Sequence, residues 1–145
     1  MKKTFAAAML GFATYAAIAA ADFGNADEAK AMLQKAVAAI SADKATALSQ
    51  MAKGEAGFAD RDLYPFCGGP DGNFTAHPKL TGQSMKGLKD KAGKAIGESF
   101  YAVAKEGAIA EVDYVWPRPG GADPVQKVSF VTKVGDQVCA VGYYK

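Results

Sequence analysis

Between residues 28 and 51 the apolar positions return at helical spacing. Met32, Leu33, Ala36, Val37 and Ile40 form one stripe of an amphipathic helix, and Asn25 or Asp27 is placed to cap its start. Ser41-Ala-Asp-Lys44 interrupts the stripe and caps a second segment. Ala47, Leu48 and Met51 are its inward positions, and Gly54 and Gly57 end it. The spacing therefore predicts a long helical opening. The period then shortens. Leu63-Tyr-Pro-Phe-Cys67 is compact, aromatic and apolar, Gly68-Gly-Pro-Asp-Gly72 is dense in turn formers, and Asn73-Phe-Thr-Ala76 reads as the returning strand of a hairpin. His77-Pro78 opens an irregular stretch with lysines at 79, 86, 89, 91 and 94, read as a solvated face. A further helix is predicted from Ala92 to Lys105, with Ile96, Phe100 and Val103 inward and Gly107 as its stop.

The last third is three strands, and Ile109 to Trp116 alternates with period two. Ala110, Val112, Tyr114 and Trp116 share one face of a strand that begins at Ile109, and Pro117, Pro119, Gly120 and Gly121 end it. Val125–Val134 is the next strand, Gly135-Asp136 the turn, and Gln137–Tyr144 the last strand. Long helix, two strands, helix and three strands make an α+β domain with an antiparallel five-stranded sheet. That order suits a PAS-like sheet, in which the first and last strands lie side by side and Cys67 and Cys139 become cross-strand neighbours.

The first residues carry a different pattern. Lys2 and Lys3 precede an uncharged run from Phe5 to Ala21, and Ala19-Ala20-Ala21 supplies small residues before Asp22. This predicts a secretory signal peptide over 1–21 and an exported domain over 22–145; the alternative is a retained membrane anchor. Loss of Lys2 and Lys3 takes the 17 basic residues to 15, equal to the 15 acidic ones. A neutral chain argues against nucleic acid as a partner, which demands a surplus of Lys and Arg. In the oxidising periplasm two cysteines suggest a disulfide, with a pair of buried free thiols as the alternative.

Asp62-Leu-Tyr-Pro-Phe66, then Gly69-Pro-Asp-Gly-Asn-Phe-Thr-Ala-His-Pro78, then Val112-Asp-Tyr-Val-Trp-Pro-Arg-Pro119 with Lys127-Val-Ser-Phe-Val131, resemble the single Cache domain family, type 2. The resemblance covers nearly all of residues 22–145. It implies an extracytoplasmic sensor fold, ligand-binding in chemoreceptors and sensor kinases, and small carboxylates as ligands. No transmembrane helix or signalling module follows the last strand in this sequence, so the expected role is a binding or sensing module without its own output domain. The alternative is an interaction module that dimerises through the amino-terminal helix, or docks on a membrane receptor, kinase or transporter, without a small ligand.

A carboxylate site needs positive donors, a few neutral donors and an apolar wall. Trp116 and Tyr114 can form the wall, with Tyr64 beside them. Arg118 offers a two-pronged grip. Lys127 is an odd charge in an apolar strand, either facing ligand or paired with Glu111 or Asp113. His77 is the only histidine and stands at the loop mouth. Each also has a bland reading: core tryptophan, solvated arginine, satisfied loop histidine, tyrosines bonded within the sheet. An enzyme is not expected, nor a cofactor or metal. One histidine cannot build a multi-histidine metal site, and neither a Gly-x-Ser-x-Gly, nor a Walker loop, nor a dinucleotide fingerprint occurs.

Overall fold

The computed structural model describes residues 21–145, so the leader expected over 1–21 lies, Ala21 apart, outside the described residues. The elements are α1 (Ala26–Ala42), α2 (Lys44–Lys53), β1 (Pro65–Gly68), β2 (Phe74–Ala76), α3 (Ile96–Val103), β3 (Ala110–Pro117), β4 (Pro124–Val134) and β5 (Gln137–Tyr144).

Asn25 caps α1 in a full capping box. Its side chain accepts from the Glu28 amide, and the Glu28 carboxylate accepts from the Asn25 amide. Asp43 ends α1 in an extended conformation and caps α2 by accepting from Thr46 N. Gly54 closes α2 with φ at +68°, a left-handed conformation that suits glycine. Met32, Leu33 and Ile40 are buried along the inner face of α1, each worth roughly 2 kcal/mol of apolar burial.

The sheet is antiparallel with order β2-β1-β5-β4-β3, so the first and last strands are neighbours, as the strand order predicts. Cys67 and Cys139 are direct register partners and are joined by a disulfide. Alternation assigns the two faces of the sheet. One face packs Cys67, Phe130, Cys139 and Val141 against α1 and α2. The other packs Phe66, Phe74, Tyr114, Val131 and Ala140 under α3 and the loop after β2.

Two boundaries differ from the sequence reading. α3 starts at Ile96, four positions later than Ala92, because Asp90 Oδ1 accepts from Ala92 N and Lys94 N and holds that segment in a turn. It ends at Val103, with Ala104 as its cap, and Gly107 belongs to a following turn at φ +71°. Gly97 lets α3 sit against the loop, since a Cβ there would lie 1.9 Å from the Met85 carbonyl oxygen.

Candidate functional site

The carboxyl end of β3 with the Pro-Gly loop after it, the turn before β1 and the His77–Leu80 loop after β2 converge on one cavity. Its volume is about 300 Å³, and Tyr64, His77, Leu80, Trp116 and Arg118 are among its walls. A narrow crevice lies behind Trp116, with room for about one water; Tyr114 and Phe100 line it along with Tyr64 and His77. Four of the six side chains proposed from sequence therefore meet at the larger cavity. Tyr114 faces only the crevice and shares a 2.8 Å hydrogen bond with the Ser129 hydroxyl. Lys127 lines neither space.

Lys127 lies in the sheet between Tyr114 on β3 and Tyr144 on β5. It is 1% exposed. Its ammonium donates to the Tyr64 hydroxyl at 3.1 Å and sits 4.3 Å from the Tyr64 ring centre and 4.9 Å from that of Tyr144. Burial pulls its pKa down to about 7, with the Asp62 carboxylate partly opposing the shift. The pairing with Glu111 or Asp113 considered from sequence does not form, because both are exposed on the opposite face of β3, where Asp113 meets Lys145 at 3.3 Å. Gly142 gives the lysine its space: a Cβ there would lie 2.4 Å from Lys127 Cε.

His77 is held by its loop. Its amide donates to Thr81 Oγ1, whose hydroxyl donates back to the His77 carbonyl. Ring Nδ1 accepts from Lys79 N at 3.0 Å and from Leu80 N at 3.1 Å. The neutral tautomer then carries its proton on Nε2, which meets no protein acceptor among the described residues. Burial, followed by the charges of Lys127 and Lys79, lowers its pKa to about 3, so the ring is a neutral donor at physiological pH.

Arg118 donates through Nε to Asp62 Oδ2 at 3.4 Å. Its guanidinium lies between the rings of Phe23 at 4.2 Å and Tyr144 at 5.0 Å. The terminal N–H groups have no hydrogen-bond partner among the described residues, which leaves a planar fork free. Arg61 also reaches the cavity, but its donors are spent. They contact Asp60, the carbonyls of Ala21 and Phe23, and Glu28 at 2.8 Å.

Sequence reasoning missed Arg61, Asp62, Tyr144 and Phe23. Asp62 is buried beneath the rim and joins two parts of it, accepting from Gly24 N at 2.8 Å as well as from Arg118. The Tyr144 hydroxyl donates to the Pro117 carbonyl at 2.7 Å and fixes the exit of β3. The Asp60-Arg61-Asp62 triplet ahead of an aromatic strand was the available signal for the first two. Phe23 and Tyr144 carried none, because only the fold brings the segment before α1 and the end of β5 to this rim.

Comparison with known proteins agrees with this architecture. Two solved structures resemble the chain. One is described as the periplasmic sensor domain of a chemotaxis protein, with a TM-score of 0.62 and 26% identity, covering 81% of this chain and 88% of that one. The other is described as the structural basis for carboxylic acid recognition by a Cache chemosensory domain, with a TM-score of 0.60 and 24% identity, covering 81% and 86%. The methyl-accepting chemotaxis protein McpP of Pseudomonas putida is 36% identical over 56 residues, which are 39% of this chain and 10% of that receptor. The family model described as the Cache domain matches residues 26–144. With that match spanning every helix and strand described above, the chain belongs to the Cache domain family.

Proposed function

We propose that the domain is an extracytoplasmic sensing module whose cavity binds a small organic acid. The observation that carries this reading is the free fork of Arg118 at the edge of an apolar cavity. A carboxylate placed there gains a bidentate, charge-assisted grip while its carbon body meets Trp116, Leu80 and Tyr64. The His77 Nε2–H adds a neutral donor. Lys127 stands one layer behind and fixes the Tyr64 hydroxyl, supplying positive potential without touching the ligand in this arrangement. The disulfide supports an oxidising compartment, and the likeness to a periplasmic sensor domain supports the periplasm. A membrane signalling protein is the partner this reading implies, on the strength of the chemotaxis receptor it partly matches.

Titration calorimetry on the exported chain tests it, with a panel of straight-chain and ring-bearing monocarboxylates and dicarboxylates. At least one acid should bind, and Arg118→Ala should weaken it about tenfold or more. A panel without binding, or binding indifferent to that substitution, sinks the reading.

A further inference from the structure

Resting on the organic-acid reading, we propose that the preferred ligands are monocarboxylates whose apolar, ring-bearing body has about ten non-hydrogen atoms or more, not two- or three-carbon acids.

Size is the first ground. The cavity measures about 300 Å³. On the scale where roughly 10–15 Å³ accommodates one water, the space takes far more than the few heavy atoms of acetate or propionate. Acetate or propionate would leave much of it wet, and the lining would forgo the dispersion contacts a filled pocket supplies. The body cannot reach deeper in this arrangement, because the crevice behind Trp116 has room for only about one water. It must lie along the outer wall.

Charge is the second ground. Arg118 is the one guanidinium at the cavity with free N–H groups, since Asp60, Glu28 and two backbone carbonyls occupy those of Arg61. Lys79 is exposed at the rim and stays hydrated. A second carboxylate would leave water for one solvated ammonium, a poor exchange. The remaining inward donor is His77 Nε2–H, which suits a hydroxyl, a keto oxygen or a ring face and adds no charge.

Shape is the third ground. Tyr64 and Trp116 present rings, and Pro78 and Pro117 add flat apolar faces. Stacked or edge-on aromatic contact contributes about 0.5–1.5 kcal/mol beyond area burial. A planar body exploits those walls, whereas a short chain does not.

Calorimetry on the full exported chain should compare phenylacetate and indole-3-acetate with acetate, propionate and succinate. The ring-bearing acids should bind about tenfold tighter or more. Leu80→Trp, which fills the cavity from its half-buried wall, should weaken phenylacetate selectively, and Arg118→Gln should weaken every acid that binds. Acetate, propionate or succinate binding as well as phenylacetate overturns the size and charge argument and leaves the organic-acid reading standing. Phenylacetate binding unchanged in Leu80→Trp overturns the assignment of its body to this cavity. No binding by any acid overturns both readings.

Discussion

At the scale of single residues, the buried ionisable groups set how stability depends on pH. Lys127 titrates near 10.5 when unfolded and at about 7 when folded. Between those values the unfolded chain holds the extra proton, so stability rises with pH through that window. His77 falls from 6.5 to about 3, so stability drops as pH falls from 6.5 toward 3, where the unfolded imidazole alone is charged. The tyrosines act the other way above 10, where Tyr64, raised to about 12 by burial, keeps its proton while the unfolded phenol loses it. Urea midpoints measured across pH should thus climb from acid to near pH 10 and then decline. Each limb should have a slope of at most about 1.4 kcal/mol per pH unit per group. Lys127→Met should flatten the rise above neutrality and His77→Gln the acid limb; unchanged limbs would refute the assignments. A second residue-scale prediction concerns Gly142. Gly142→Ala should cost about 2 kcal/mol, because its Cβ would collide with Lys127 Cε and Ser129 Oγ, each 2.4 Å away. Lys127→Ala removes one of those collisions, so the two substitutions should be less than additive in a double-mutant cycle.

At the scale of elements, the strands and helices were legible in sequence, and the start of one helix was not. β3 alternates as a strand with one buried face does, while β4 and β5 are apolar runs buried on both faces, whose limits follow the turn formers around them. The amino-terminal helices declared themselves through Asn25, Asp43 and Gly54, whose capping roles are local chemistry. α3 was misjudged because Ala92 and Lys94 have good helix propensity, yet the Asp90 carboxylate claims their amides for a turn. Its glycine carried a tertiary meaning that no local pattern reveals. Gly97→Ala improves helix propensity, but here it should destabilise the domain by about 2 kcal/mol or more, since the Met85 and Lys86 carbonyl oxygens would lie 1.9 and 2.6 Å from the new Cβ. Thermal unfolding of that variant decides the matter: a melting point equal to or above the parent would contradict the close packing of helix and loop.

At the scale of the whole molecule, the candidate site was partly legible because residues from two sequence blocks, 62–80 and 112–121, line it, and their types are unusual. What could not be read was the closure of the rim by Phe23, ahead of α1, and Tyr144, at the end of β5, which both reach Arg118. The same long-range joining rests on the Cys67–Cys139 bond, which spans a sequence separation of 72. In the chain-entropy picture a loop of that size contributes about 4 kcal/mol. Reduction, or the double substitution of both cysteines by alanine, should lower the urea midpoint and steepen the transition, because the freed unfolded chain exposes more surface. An unchanged midpoint would mean that the first and last strands hold together without covalent help.

The central position of β5 also has a consequence for how the protein is made. The strand that completes the sheet is the last of the five in sequence, yet it lies between β1 and β4, with β1–β2 on one side and β4–β3 on the other. Until residues 137–144 emerge, the two hairpins have no shared edge, and Cys67 has no partner to oxidise against. The sheet therefore closes only after all five strands have been made. A chain halted before Gln137, lacking β5, would present two open edges to any chaperone or protease it met.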